Sequence, residues 1–508
     1  MAFSSSSSYF CGVRHCIRGF VLLASILGGA SQSCNVSSVF GFDIHHRFTD
    51  RVRAIMPLDQ MPAKGTADYV AAMAHRDRIQ GRRLTGGIVD QTLLTGGIVD
   101  QTLLTFVNGN ATFQLSEFGY LYYANVTVGT PGLDFLVALD TGSSLFWLPC
   151  DCDSCMKVVK FGPDQVDTLN IYSLSTSSTG TQVPCNSTLC QHSGSCSATT
   201  TECPYQLKFL SANTTSSGYL VEDVLRLTTD STPSKSVDAN ITLGCGKVET
   251  GSFLDDGAPN GLFGLGIDNI SIPSILASQN IAANSFSMCF GPDGSGRISF
   301  GDKGSSDQSE TLINLGHLLP TYNVSVTQIS VGANFTDVDF SAIFDSGTSF
   351  THLGGPAYTT ITEGFNSQVN ENRLAVDSNI SFEYCYDLAS CDGHIALPTV
   401  NLTMKGGAQF YVYNPILLIP YNENECMYCL AVVKSDDFNI IGENFMTGYR
   451  VVFDRERMVL GWKALNCSYT SDTTTLPISP RSSAVAPFSM DPEATPGANN
   501  GSHISGAS

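Results

Sequence analysis

Two stretches of the chain carry nearly the same pattern. Residues 137–146 read VALDTGSSLF and residues 341–350 read SAIFDSGTSF. In each stretch an apolar run leads into an aspartate, which is followed by a hydroxyl residue, a glycine and a second hydroxyl residue. The two aspartates, Asp140 and Asp345, stand 345 − 140 = 205 residues apart. This repetition predicts a duplicated structure in which each half supplies one equivalent carboxylate.

Each apolar run predicts a buried strand that ends at its aspartate. Gly142 and Gly347 then permit a tight turn, because glycine adopts backbone angles that other residues avoid. Two such turns, one from each half, can bring their carboxylates face to face. Carboxylates at hydrogen-bond distance share one proton, which supplies a base and an acid in one site at mildly acidic pH.

The neighbouring hydroxyl groups also have predicted contacts. Thr141 and Ser346, directly after each aspartate, can bond across to the opposite turn and lock the two turns together. Ser143 and Thr348 can donate hydrogen bonds to the outer oxygens of the carboxylates.

With these motifs the chain resembles the pepsin-type aspartic proteases over roughly residues 117–467, and among them the plant secreted, nepenthesin-like branch. Trp147 stands seven residues after Asp140, as the tryptophan of the family does. The segments NGLFGLG (260–266) and NIIGENFMTGYRVVFDRERMVLGW (439–462) match strands that thread beside each catalytic loop in that family. The resemblance implies an all-β, bilobal pepsin-like fold with the active-site cleft between two homologous lobes.

The resemblance also implies an aspartic endopeptidase that hydrolyses peptide bonds at acidic pH. A water activated by Asp140 and Asp345 would attack the scissile carbonyl, without a metal or an organic cofactor. Extended peptides or proteins are the expected substrates, pepstatin-type compounds the expected inhibitors, and a monomer the expected state. The residues expected to support the site or bind substrate are Thr141, Gly142, Ser143, Trp147, Phe209, Ser346, Gly347 and Thr348.

The β-hairpin flap of the family corresponds to CPYQLKFLSANTTSSGYLVEDVL (203–225). Its tyrosine position is occupied by Phe209, which keeps the apolar packing and lacks the hydroxyl group. Tyr205 is the nearby alternative. If neither a tyrosine nor a water substitutes, the sequence predicts reduced activity or altered specificity. The alternative function is a catalytically weak or silent binding protein, since plant relatives of this architecture include inhibitors of microbial glycosidases. The two intact aspartate turns favour the enzyme, and Phe209 favours the binding protein.

Composition and termini indicate secretion. The net charge of −20 argues against nucleic acid as a partner. Arg14, His15 and Arg18 precede GFVLLASILGGA (19–30), which predicts a signal peptide over 1–33. A membrane anchor is the alternative, but the apolar run is short for a span. We expect an extracellular or apoplastic protein, with cell-surface anchoring or the vacuole as alternatives.

The remaining chain divides by composition. Residues 34–105 contain 8 Lys/Arg and 7 Asp/Glu, whereas residues 106–508 contain 16 and 39. This contrast predicts a pro-segment with linker over 34–116, held on an acidic body partly by charge, so that the protein is made as a zymogen. The predicted lobes span 117–309 and 310–467. A Ser/Thr/Pro-rich tail over 468–508 is expected to be disordered.

Of 17 cysteines, 14 lie from Cys150 onwards, which predicts disulfides in a secreted chain. The runs CDCDSC (150–155) and CMYC (426–429) have metal-like spacing, but disulfides are favoured there too. By position we expect the pairs Cys385–Cys429 and Cys391–Cys426, although connectivity does not follow from sequence. His352 is interpreted as structural rather than catalytic. A glycosylated surface is predicted from thirteen Asn-x-Ser/Thr sequons, at Asn35, Asn110, Asn125, Asn186, Asn213, Asn240, Asn269, Asn323, Asn334, Asn379, Asn401, Asn466 and Asn500.

Overall fold

The computed structural model describes three short leader segments, 42–45, 82–83 and 104–106, and most of 121–467. All of these residues belong to one compact unit, Ser37–Ser508. The predicted signal peptide (1–33), most of the predicted pro-segment (34–116) and the tail (468–508) lie outside the described residues. The gaps within 121–467 are residues 162–164, 191–195, 197–200, 210–213, 230–234, 255–256, 293, 316–319, 377–379, 389–394, 414, 421–425, 437 and 466.

Short strands dominate, as the alternating apolar runs between Gly, Asn, Asp and Ser predict. Those up to residue 300 are β1 (Phe42–His45), β2 (Arg82–Arg83), β3 (Leu104–Phe106), β4 (Tyr123–Val128), β5 (Leu133–Asp140), β6 (Trp147–Ser154), β7 (Val158–Phe161), β8 (Gln165–Thr168), β9 (Thr181–Gln182), β10 (Pro204–Phe209), β11 (Thr215–Thr229), β12 (Ser236–Thr250), β13 (Leu262–Gly264), β14 (Ser285–Phe290) and β15 (Ser295–Phe300). Those that follow are β16 (Ser309–Leu312), β17 (Asn323–Val331), β18 (Asn334–Phe344), β19 (Thr351–Gly354), β20 (Arg373–Leu374), β21 (Cys385–Leu388), β22 (Val400–Met404), β23 (Gln409–Val412), β24 (Ile416–Pro420), β25 (Cys426–Leu430), β26 (Val432–Ser435), β27 (Ile440–Ile441), β28 (Tyr449–Asp454) and β29 (Val459–Ala464).

Helices are few and short in the described residues. The α-helices are α1 (Ile272–Ser278), α2 (Gly355–Asn366) and α3 (Glu443–Met446). Proline in the first turn of α1 and α2 suits a helix start, because the missing N–H would have no partner there. The 3-10 helices are Leu174–Thr176, Thr188–Cys190 and Gly251–Leu254. None of the helices that the structure describes is long and apolar enough to cross a membrane.

The two halves repeat one strand arrangement. In the first half, β5 pairs in parallel with β13, which pairs antiparallel with β6, and β6 pairs in parallel with β12. In the second half, β18, β27, β19 and β26 repeat these pairings in the same order. The predicted bilobal, all-β fold is therefore confirmed.

The larger sheet also contains strands from both halves of the chain. Its order is β16-β29-β28-β14-β15-β1-β4-β5-β13-β6-β12-β11-β10-β2. The strands β28 and β29, from the end of the second half, pair with each other, β29 also pairs with β16, and β28 also pairs with β14 of the first half. The second half also builds a sheet of order β23-β22-β17-β18-β27-β19-β26 and a smaller one of order β20-β21-β25-β24. The predicted lobe boundary at 309/310 stays a prediction.

The leader strands pair with the body through their backbones. β1 lies between β15 and β4, and β3 pairs with β11 and β15. β2, the last two residues of the basic run HRDRIQGRR (75–83), pairs antiparallel with β10, in the register Lys208↔Arg83 and Phe209↔Arg82. Part of the predicted pro-segment is therefore an edge strand on the hairpin that contains Phe209.

Disulfides cross-link both halves. The described pairs are Cys150–Cys245, Cys152–Cys155, Cys185–Cys196, Cys190–Cys203, Cys289–Cys467 and Cys385–Cys429. The expected pair Cys385–Cys429 is confirmed. Cys426 is also disulfide-bonded, but Cys391 lies outside the described residues, so that second pair stays a prediction.

Two of the sequons that the structure describes are buried. Asn323 is buried and its Oδ1 accepts a hydrogen bond from Asn314, while Asn401 is buried and donates to Gln409. Neither side chain can carry a glycan in the folded protein, so the predicted glycosylated surface is wrong at these positions. Asn240 and Asn334 are exposed.

A buried ion pair fixes β28 to the turn after β15. The Arg450 guanidinium bonds to the Asp302 carboxylate, which is only 3 % exposed and also accepts from Ser287 at 2.5 Å. Burial alone would raise the pKa of Asp302, but the Arg450 charge and these hydrogen bonds lower it overall.

We predict that Arg450→Met lowers the free energy of unfolding by about 3–5 kcal/mol, because it leaves a buried carboxylate without its cation. Urea denaturation at pH 6 measures the change. Lys463→Met is the matched control: its partner Asp307 is 63 % exposed, so solvent screens the pair and the loss should be much smaller. Equal losses in the two variants would contradict the prediction.

Candidate active site

The two aspartates occupy equivalent positions at strand ends. Asp140 is the last residue of β5 and Asp345 directly follows β18. The backbone of β13 runs beside Asp140, whose carbonyl accepts from Leu265 N at 2.9 Å. The backbone of β27 runs beside Asp345, whose N–H donates to Ile441 O at 3.1 Å. Both side chains are buried, as the apolar runs before them predict.

A glycine in each threading segment makes this close approach possible. A Cβ on Gly264 would stand 2.3 Å from the carbonyl oxygen of Ser144. A Cβ on Gly442 would stand 2.6 Å from the backbone of Phe350. Any side chain at either position would push the threading segment away from the aspartate turn.

The two turns are held together by reciprocal hydrogen bonds. Thr141 Oγ1 donates to Phe344 O at 3.0 Å and accepts from Ser346 N at 2.9 Å. Ser346 Oγ donates to Leu139 O at 3.0 Å and accepts from Thr141 N at 3.1 Å. The predicted bonds from Thr141 and Ser346 to the opposite turn are therefore present, and each hydroxyl pairs two backbone groups of the other half.

Each carboxylate is oriented by its own turn in the same way. Asp140 accepts from Gly142 N at 3.0 Å and from Ser143 Oγ at 2.5 Å. The Asp345 carboxylate accepts from the backbone N–H of the second residue after it, Gly347, at 2.9 Å and from the hydroxyl of the third, Thr348, at 2.8 Å. The site thus contains two carboxylates in matched surroundings, built by one sequence pattern used twice.

The candidate flap is the hairpin of β10 and β11, whose turn residues 210–213 are not described. Phe209 ends β10 and packs edge-on against Phe253, with ring centroids 4.9 Å apart. Phe253 in turn packs against Trp147 at 4.8 Å, so the predicted residues Phe209 and Trp147 belong to one aromatic row. The indole Nε1 of Trp147 is buried and has no hydrogen-bond partner among the described residues.

Tyr205 does not take the place of a tyrosine at position 209. It lies nearer the base of the hairpin, opposite Gly218, and its hydroxyl bonds to Ser216 Oγ at 2.9 Å. Its ring covers Gly244, where a Cβ would stand 2.7 Å from Cε1. The alternative that the sequence left open at Tyr205 is therefore wrong, since this hydroxyl is buried and already bonded.

Comparison with known proteins agrees with this geometry. Family models described as xylanase inhibitor N-terminal and C-terminal match residues 122–302 and 321–464. The chain is 52 % identical over 482 residues to aspartyl protease family protein 1 of Arabidopsis thaliana, covering 94 % of this chain and 91 % of the relative. The chain belongs to the pepsin-type aspartic protease family.

Two further matches have lower identity. Aspartic proteinase nepenthesin-2 of Nepenthes gracilis is 27 % identical over 368 residues, covering 68 % of this chain and 78 % of the relative. The crystal structure of basic 7S globulin from soybean matches with a TM-score of 0.53 and 23 % identity, covering 68 % of this chain and 91 % of that one. At that identity the likeness shows the pepsin-like fold alone.

A further acidic group, not foreseen from the sequence, lies beside the flap. Glu249 on β12 is fully buried, both of its carboxylate oxygens lack a hydrogen-bond partner, and burial raises its pKa to about 8. No sequence motif marks this position. The alternation of inward and outward side chains along β12 is reversed here, because Val248 is exposed and Glu249 is buried.

His352 is buried, as the structural interpretation of this residue requires. It stands seven residues after Asp345, as Trp147 does after Asp140. Its Nε2 has no hydrogen-bond partner, and burial lowers its pKa to about 4.

The described residues offer little for a metal. The sulfur atoms of Cys185, Cys190 and Cys196 lie within 4.8 Å of one another. All three cysteines are in disulfides, so none supplies the thiolate that a metal would need.

We predict that Ser346→Ala lowers the free energy of unfolding by about 1–3 kcal/mol, because the buried Thr141 N–H and Leu139 carbonyl each lose a partner. Thermal denaturation at pH 5 measures the loss. Ser367→Ala is the control, since that exposed hydroxyl bonds only within its own helix end. An unchanged melting temperature for Ser346→Ala would contradict the prediction.

We predict that His352 weakens the fold in acid. Its folded pKa of about 4 lies below the unfolded value of 6.5, so the unfolded state binds the proton first as pH falls. Stability should drop by about 3 kcal/mol between pH 6.5 and 4 through this group. In His352→Gln, urea denaturation over that range should show a shallower loss; a slope equal to that of the wild type would sink the prediction.

Proposed function

We propose that the protein is an aspartic endopeptidase that hydrolyses extended peptide substrates at acidic pH. The observation that carries this proposal is the pair of aspartate turns, cross-bonded by Thr141 and Ser346 and intact in every residue that orients Asp140 and Asp345. A protein that had lost catalysis would have no need to keep both carboxylates buried in matched surroundings.

The chemistry follows from two such carboxylates sharing one proton. The ionised aspartate removes a proton from a bound water, whose oxygen attacks the scissile carbonyl carbon. The protonated aspartate gives its proton to the carbonyl oxygen, which forms a tetrahedral diol. This diol collapses as the amine nitrogen takes a proton and leaves, and no covalent intermediate with the protein is formed. Pepstatin-type inhibitors are expected to occupy the same cleft.

We further propose that the protein is a secreted zymogen. The pairing of β1 within the large sheet and of β2 with β10 supports a leader that folds together with the body. The disulfides support an oxidising compartment, and exposed sequons such as Asn240 and Asn334 are open to glycans. The extracellular space is the proposed location.

A binding protein on the same fold is the second candidate. Phe209 favours it, because the family's flap hydroxyl is absent and the Trp147 Nε1 has no partner. The matching family models carry the name of an inhibitor, and the soybean relative is named as a globulin.

The test is cleavage of a denatured protein by the acid-treated, secreted chain between pH 3 and pH 7. We expect acid-optimal cleavage that pepstatin blocks. Asp140→Asn and Asp345→Asn should each reduce it by at least about 10³-fold, since one carboxylate cannot act as both acid and base.

The control is Asp307→Asn, which removes an exposed carboxylate remote from both turns and should keep full activity. Cleavage that survives in either aspartate variant would mean that another site is responsible. Absence of cleavage by a folded, leader-free protein would favour the binding protein.

A further inference from the structure

A β-bulge places Glu249 inside the protein. β11 and β12 pair as Ser217↔Val248 and Gly218↔Gly246, so Lys247 is the extra residue. A one-residue insertion moves the following side chains to the opposite face of the sheet. Val248 therefore points outward with 38 % exposure, and Glu249 points inward with none.

Among the described residues, none offers the Glu249 carboxylate a cation or a hydrogen bond. Its Oε1 and the Tyr205 hydroxyl both approach the side of Gly246, where a Cβ would lie 3.3 and 3.2 Å from them. The Tyr205 hydroxyl is bonded to Ser216 instead. Across the bulge, Glu249 pairs with Ser216 in the second strand of the candidate flap.

The other titratable groups on adjoining elements are turned elsewhere. Lys247 donates to the backbone carbonyl of Asp151, and Asp151 and Asp153 on β6 are exposed. Lys208 on β10 and Glu222 on β11 are exposed as well. Tyr205 is the described titratable group that senses the Glu249 charge.

We propose that Glu249 is a positioning residue for the flap: its protonated carboxyl lets the β10–β11 hairpin pack on the Trp147 row, and its ionisation loosens that hairpin. The site can hold an uncharged carboxyl group, whereas an ionised carboxylate without partners must be hydrated. Water can reach it only if the hairpin lifts from β12. The link to catalysis rests on the proposed function; the link between ionisation and hairpin packing does not.

The expected direction in pH follows from burial. Burial raises the Glu249 pKa from 4.5 to about 8. Between these pH values Glu249 therefore keeps its proton when the hairpin is packed and loses it when the hairpin is lifted. Rising pH between these values therefore favours the lifted form. The stabilisation of the packed hairpin by protonated Glu249 is fully present only below pH 4.5. The hairpin is tightest under the acidic conditions in which the proposed dyad operates.

Hydrogen exchange followed by mass spectrometry tests this in the full chain. In the wild type, the protection factors of amides in 203–209 and 214–220 should fall up to about tenfold per pH unit between 4.5 and 8. Those of β22 serve as the internal reference and should not show this fall. Glu249→Gln, which cannot ionise, should remove the slope in the hairpin.

Two further variants complete the comparison. Glu222→Gln removes an exposed carboxylate from β11 and should keep the wild-type slope. Glu249→Leu replaces the unpaired acid with an apolar side chain and should also be flat, which covers the case that the glutamine variant does not fold. A flat wild-type hairpin, or a slope that persists in a folded Glu249 variant, would overturn the proposal.

Tryptophan fluorescence gives a second readout, because the chain has only Trp147 and Trp462. In a Trp462→Phe background, Trp147 emission should shift to longer wavelength as pH rises, and Glu249→Gln should abolish this shift. If peptidase activity is present, the alkaline limb of its pH profile should move upward in Glu249→Gln. Absence of activity at every pH in the wild type and in all variants would refute the proposed function, while exchange and fluorescence would still decide the role of Glu249.

Discussion

The structure depends on the exchange of hydrogen bonds between Thr141 and Ser346. Each hydroxyl satisfies two backbone groups of the opposite turn, and all of these groups are buried. Because buried N–H and C=O groups without partners are costly, neither turn is complete without the other half of the chain. The strands that lead to the aspartates, and the glycines that let β13 and β27 run beside them, are arranged so that this exchange can form.

The parts of the fold that could be predicted are those with local causes. An apolar run before an aspartate and a glycine two residues later specify a buried strand and a tight turn, so Asp140 and Asp345 were found from sequence. The helices at Ile272 and Gly355 follow from short polar–apolar periodicity with proline in the first turn. Because the apolar-run-then-aspartate pattern occurs twice, the sequence also predicts that the two turns face each other.

The parts that could not be predicted depend on register or on distant pairing. Nothing in the local sequence indicates that β28 pairs with β14 of the first half. A strand from the second half in that place would bury the same apolar face of β28. The burial of Glu249 results from one inserted residue, Lys247, and reading the strand without that insertion places the glutamate in solvent. The burial of Asn323 and Asn401 was likewise missed, because a sequon is a local motif and burial is not a local property.

The disulfide Cys289–Cys467 ties β14 to the last described residue of the chain, across 178 positions. The covalent ring that it closes contains β15 to β29, so nearly all of the second half lies within one loop. A single nick in that stretch would leave both fragments attached and the β28–β14 pairing held in place. A force applied to the tail beyond residue 467 would act through the disulfide on β14 inside the large sheet as well as on β29, which lies between β16 and β28. The disulfide thus keeps the end of the second half attached after a cut and carries part of any tension on the tail.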